Sequence, residues 1–169
     1  GLTAIVKDDV NILRNVRFEL VGVNDAAMLG NAGHENLPPG LLTVIPSVPY
    51  RESLRLMSGA DGLLIIDAPA KTSVFLPSKL IDYIGAGRPV MGITPPGAAA
   101  GLIGEIGGIV ADPADPDAVR SSLCAFIETL RARREGHVET AWGDPAARDR
   151  FEARRVAKDF EDTVREMIV

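Results

Sequence analysis

Cysteine occurs once in the 169 residues, at Cys124, and histidine twice, at His34 and His137. A single thiol forms no internal disulfide, and the three residues are spaced too far apart along the chain to make the short-range ligand pairs of a zinc site. The sequence therefore reads as that of a protein from a reducing, cytoplasmic compartment with no bound metal. Basic residues are not in excess: Lys+Arg number 18 against 23 Asp+Glu, a net charge of −5. A protein that grips a nucleic-acid backbone needs a concentrated positive surface, so no nucleic-acid partner is expected. Long apolar runs are missing as well. Stretches such as GLLII at 62–66 fall far short of the ~20 residues that span a bilayer, and no charged-then-apolar leader opens the chain. There is neither an internal repeat nor a low-complexity segment. What remains is 46% hydrophobic and 24% charged, the composition of an ordinary globular domain, with length for one domain and its core. The opening GLTAIVKDDVNIL carries no methionine and reads as the tail of an element, so a fragment of a longer protein is expected.

Periodicity supplies the elements. The runs 16–23, 41–46, 62–67, 88–93 and 108–112 are apolar along most of their length and bounded by Gly, Pro, Asn or Asp, the pattern of strands buried on both faces. Between them lie helical patterns at 49–60, 78–87 and 98–107, and a fourth at 115–135. In the last, Val119, Leu123, Phe126, Ile127 and Leu130 form one stripe behind a capping Asp115. Segment 24–40 holds too many glycines and prolines for more than a short helix. A charged helix over about 144–168 carries a narrow seam of Phe151, Val156, Phe160 and Val164. Alternating strands and helices with fully apolar strands predict an α/β fold, a doubly wound, Rossmann-like parallel sheet with a C-terminal helical tail.

In such sheets ligands bind beyond the carboxyl ends of the strands. The loop 67–78 is long for a strand-to-helix connection and leads through Ser73, Val74, Phe75, Leu76 and Pro77 into a helix starting with Ser78, its expected N-cap, and Lys79. Free N–H groups at a helix start, an ammonium and the positive end of the dipole suit a phosphate or diphosphate. Asp82, three residues after Lys79 on the same face, suits a sugar hydroxyl. The competing reading is a solvated i,i+3 ion pair between Lys79 and Asp82, contributing about 0.2–0.5 kcal/mol. The string GAG at 85–87 closes a helix instead of opening one, so it is a helix end and not a dinucleotide fingerprint. Cys124 lies on the apolar stripe and reads as a core thiol, Trp142 as a packing residue, and neither histidine has a companion carboxylate for nucleophilic catalysis.

The run SVPYRESLRLMSGADGLLIID, followed by SVFLPSKLIDYIGAGRPVMGI, resembles the C-terminal, donor-binding domain of group 1 (family 4-like) glycosyltransferases of GT-B fold. The similarity covers about residues 16–134. It implies one half of a GT-B fold: residues 1–134 as a nucleotide-sugar-binding domain, with nothing before Val16 matching the family's opening strand and basic, glycine-rich loop, and 135–169 as linker and C-terminal helix. The implied partners are a nucleoside-diphosphate sugar donor and an N-terminal acceptor-binding domain, through which peripheral membrane association is allowed; no cofactor is implied. Aligned on Gly87 and Pro89, the second of the family's two glutamates falls on Asp82 and the first on Val74, a departure that leaves Asp67 or the backbone amides of 74–78 to face the donor sugar. Lys79 is implied at the diphosphate, Gly22 at the strand end, and Ser47 and Val48 beside the base. No residue is assigned as catalytic. The implied activity is sugar transfer in glycan or polysaccharide synthesis, which this chain alone is not expected to perform. A non-catalytic Rossmann-like ligand- or partner-binding module, favoured by the loss of the carboxylate at position 74, and a sugar-nucleotide epimerase are the alternatives.

Overall fold

In the computed structural model, which describes residues 3, 5, 10–22, 37–136 and 141–168, each of the five apolar runs forms a strand. These are β1 (Phe18–Val21), β2 (Leu42–Ile45), β3 (Leu63–Ile66), β4 (Val90–Ile93) and β5 (Ile109–Ala111). Each is shorter than its run because proline and glycine trim the ends: β2 stops before Pro46, β4 starts after Pro89 and β5 after Gly108. Every ladder is parallel, β1 with β2, β3 with β4 and β4 with β5. The architecture is α/β and Rossmann-like. One feature differs from the expected continuous sheet. Among the described residues the strands form two sheets, β1–β2 and β3–β4–β5, with no ladder joining β1 to β3.

The helices are α1 (Tyr50–Gly59), α2 (Ser78–Ala86), α3 (Ala98–Glu105), α4 (Pro116–Glu135), α5 (Pro145–Asp149) and α6 (Ala153–Ile168), and a short 3-10 turn spans Val10–Leu13. The Asp115 carboxylate accepts from the N–H groups of Asp117 and Ala118, and Pro116 occupies the first turn, so α4 starts where its cap dictates. Gly87, at φ 63°, closes α2 in the left-handed conformation, which makes GAG a helix end. The single C-terminal helix expected over 144–168 is broken in two. Asp144 caps α5 by accepting from Ala147 N–H, and Phe151 then turns into the domain, interrupting the helix before α6. Of the expected seam only Phe151 packs on the domain, Val164 being half-buried and Val156 and Phe160 exposed.

Two cores hold the layers. On one face α4 sends Val119, Leu123, Phe126 and Ile127 against Met91, Ala111, Leu41, Leu13 and Ile5, with Phe18, Leu64, Ile93 and half-buried Cys124 at the margin. This core touches both sheets. Arg131 of α4 secures it by donating to the carbonyls of Ile12 at 2.7 Å and Arg14 at 2.8 Å. On the opposite face α2 and α3 bury Leu80, Ile84, Leu102 and Ile103 against Leu63, Ile65 and Val90, and Trp142 and Phe151 pack at its edge. The approach of α3 depends on glycine: a Cβ at Gly92 or at Gly108 would lie 2.5 Å from an Ile103 side-chain carbon. The histidines and most of segment 24–40 lie outside the described residues. Among the described residues no helix is long and apolar enough to cross a membrane, and no three His, Cys, Asp or Glu are placed to hold a metal ion.

Candidate functional site

Parallel pairing puts the carboxyl ends of the strands within each sheet on one side, and the residues singled out above fall there in two groups. Gly22 ends β1 at φ 96° and donates its N–H to the carbonyl of Ile45 at 3.0 Å, while Ser47 and Val48 follow β2. The second group lies beyond β3 and β4. There Asp67 donates its N–H to Ile93, and its carboxylate accepts from the hydroxyl of Thr94 at 2.6 Å, Thr94 being fully buried. One oxygen of Asp67 is thus occupied in clamping the ends of two strands.

The loop after Asp67 is fixed by a second clamp. Ser73 forms an isolated parallel bridge to Gly97: Ser73 N–H donates to Pro96 at 2.9 Å and Ala98 N–H to Ser73 at 3.0 Å. Ser73 also uses its hydroxyl to accept from Phe75 N–H at 3.2 Å. Beyond it Val74, Phe75 and Leu76 are exposed, Val74 to 97%. Pro77, not Ser78, is the N-cap of α2, because Leu80 N–H already bonds the Pro77 carbonyl at 2.9 Å; Ser78 lies one residue inside the helix, and no side chain caps it. Among the described residues, the N–H groups of Ser78 and Lys79 have no acceptor and Lys79 joins no ion pair.

Asp82 pairs elsewhere. Its carboxylate accepts from the hydroxyl of Tyr50, 3.1 Å away and 32 positions earlier, so the i,i+3 ion pair with Lys79 does not form. This contact ties α1, which starts just after Ser47 and Val48, to α2, and so connects the two groups of candidate residues. The hydrogen bond to the Asp82 carboxylate, followed by its negative charge, raises the Tyr50 pKa above the ordinary tyrosine value; burial, followed by the same charge, raises that of Tyr83. An open depression of about 490 Å³ adjoins the loop, lined by Leu76, Gly97, Ala98, Glu105, Arg150 and Phe151 among others. Lys79 and Asp82 are not in its lining. Its cation is Arg150, which pairs with Glu105 and lies 5.7 Å over the Phe151 ring.

Chemically, the start of α2 offers an anion two amides and an ammonium that are unpaired among the described residues, with a carboxylate–phenol pair one turn further on. Tyr50, Thr94 and Gly97 escape sequence reading, since each acts through a contact more than twenty residues away. The available signal was positional: each stands at or just after the carboxyl end of an apolar strand. No protein-family model and no curated protein matches this chain.

Proposed function

We propose that this domain binds a nucleoside-diphosphate sugar and forms the donor-binding part of a glycosyltransferase, acting in the cytoplasm with an acceptor-binding domain. The observation that carries the reading is the start of α2, where the amides of Ser78 and Lys79 have no acceptor among the described residues and the Lys79 ammonium is free of ion pairs. A diphosphate fits that set, since its charge meets both the helix dipole and the ammonium. Asp82, oriented by Tyr50, retains a second carboxylate oxygen for a ribose hydroxyl. In transfer, the same groups stabilise the charge that grows on the departing diphosphate, an electrostatic contribution requiring no covalent intermediate. Resemblance in the segments 47–67 and 73–93 supports the choice of ligand.

Isothermal calorimetry with uridine, guanosine and adenosine diphosphates tests the reading. At least one should bind, and Lys79→Ala and Asp82→Ala should each weaken it by about 1–3 kcal/mol, the value of a hydrogen bond to a charged group. Binding of none, or binding indifferent to both substitutions, refutes it. A second reading has its own support. Val74, Phe75 and Leu76 are exposed side by side, a feature expected of a non-catalytic module that docks a partner. Under that reading Val74→Asp and Phe75→Ser abolish partner capture, while nucleotides bind to neither the parent nor the variants.

A further inference from the structure

Helix α3 leaves apolar surface in water. Its sequence is AAAGLIGE, in which Glu105 is the only polar side chain, and a helix that is apolar on every side is one that is covered on every side. Ala99, Leu102 and Ile103 are buried in the core, but Ala98 and Gly101 are exposed. These two floor the open depression of about 490 Å³ beside the loop. At 1.5 Å per residue the floor from Ala98 to Glu105 runs about 10 Å.

Two walls of the depression are fixed in advance. Leu76 forms one, and its loop is stapled to the start of α3 by the bridge between Ser73 and Gly97, an approach that a Cβ at Gly97 would forbid. Phe151 forms another: it is seated on the α2–α3 core, while Arg150 lies over its ring and pairs with Glu105. Eight residues line the space, where a stable protein interface takes about 20–30 a side, so its size and preformed shape are those of a small-molecule site. The lining also fixes the chemistry of the occupant. Its two charges pair with each other, and none of its side chains is a hydroxyl, amide, imidazole or phenol. A sugar or peptide group placed there would leave water without gaining an uncharged side-chain partner, which is costly. A hydrocarbon chain has no such groups to satisfy, and its burial is favourable.

We propose that this depression binds the hydrocarbon chain of a single-chain amphiphile, laid along α3 between Leu76 and Phe151 with its polar end in water beside the loop. Leu76 stands two residues before Ser78, so the polar end lies toward the start of α2. Under the donor-binding reading such an amphiphile is the sugar acceptor. That role rests on the reading, whereas binding of the chain rests on the depression alone.

Titration of the 169-residue chain with methyl, butyl and octyl β-glucosides, each below its micelle concentration and followed by amide NMR, tests the proposal. The head group is constant, so only the chain varies. Octyl glucoside should shift the amides of Leu76, Ala98, Gly101 and Phe151, and methyl glucoside should not. A fully buried CH2 tightens binding by about 4-fold and one covered on a single side by about 2-fold, so octyl glucoside should bind about 16-fold more tightly than butyl. Gly101→Leu fills the depression without disturbing α3, because its Cβ position is open and leucine favours helix. It should abolish the octyl shifts while leaving the amides of Phe126 and Ile127 in place. Nucleotide calorimetry on the same samples separates this proposal from the donor-binding reading: octyl binding by a chain that takes no nucleotide upholds the site and removes only the acceptor role, and nucleotide binding without an octyl effect does the reverse. Four results overturn the proposal: no shift at these amides with any glucoside; equal shifts with methyl and octyl, which assign the depression to the sugar; octyl shifts that survive Gly101→Leu; and shifts that follow protein concentration, which assign it to a second copy.

Discussion

Replacing Gly97 by alanine should destabilise the domain by about 2–4 kcal/mol, and the structure dictates the size of that effect. Gly97 has φ 148° and ψ −153°, a region that only glycine occupies freely, and forcing another residue there costs on the order of 1–3 kcal/mol. A Cβ would also fall well inside contact with the Ser73 carbonyl oxygen, 2.8 Å from its carbonyl carbon and 3.0 Å from its nitrogen. All three are backbone atoms, so no side chain can swing aside. Relief requires separating the loop from α3, which gives up the bonds from Ser73 to Pro96 and from Ala98 to Ser73, each contributing about 1 kcal/mol. Partial relief keeps some of one cost and some of the other, hence the range. Urea unfolding followed by circular dichroism measures it; for a chain of this length thermal melting should drop by roughly 4–16 °C. Gly101→Ala is the internal control. Gly101 lies within α3 with open space around its Cβ position, so the same substitution should stabilise by about 0.5–1 kcal/mol. If Gly97→Ala costs less than about 1 kcal/mol, or if the two variants agree in sign, the clamp between Ser73 and Gly97 does not hold the loop.

Other outcomes follow from single contacts. The chain has only two tyrosines, Tyr50 and Tyr83, both raised, so a spectrophotometric titration should show less than half of the phenolate absorbance at pH 10.0, the ordinary tyrosine midpoint. Because these folded-state values lie above the unfolded ones, their contribution to stability is complete below the ordinary value and is lost as pH rises through the raised ones. Asp82→Asn should bring the Tyr50 transition down further than that of Tyr83, whose shift comes first from burial; equal movement would contradict the hydrogen bond as the main cause. Asp115→Ala should cost about 1 kcal/mol by uncapping α4, and Asp115→Asn much less, as read by urea midpoints. Ile103→Ala, at a fully buried residue, should cost about 2–5 kcal/mol in the same assay.

Local signals made most of the elements legible. The apolar runs closed by proline and glycine gave all five strands, and Asp115 with the Val119–Phe126 stripe fixed α4, because burial on both faces and capping each leave a mark within a few residues. Gly87 revealed the end of α2 for the same reason. The break between α5 and α6 was not legible: residues 150–152 continue a helical pattern, and only the pull of the core on Phe151 stops it. The start of α2 was off by one, since Ser78 is a better capping residue than Pro77 by propensity, yet the Leu80 bond reaches the proline carbonyl. For the candidate site, sequence brought Lys79 and Asp82 to one helix and offered their mutual ion pair as the competing reading; the partner that Asp82 has comes from another helix. Long-range polar pairs such as Tyr50–Asp82 and Asp67–Thr94 have no periodicity to betray them.

The division into two sheets bears on the order in which the molecule assembles. From β3 to β5 each strand pairs with the next strand in the chain, across connections that hold only α2 or α3. These contacts close short loops, and short loops lose little entropy on closing. The β1–β2 pair joins that half through α4 instead, by contacts such as Arg131 to Ile12, which are 119 residues apart. Nucleation is therefore expected within residues 63–135, with the β1–β2 ribbon docking afterwards. Core substitutions should divide accordingly: those at Ile103 or Leu80 slow folding, whereas those at Phe18 or Leu13 leave the folding rate nearly unchanged and hasten unfolding.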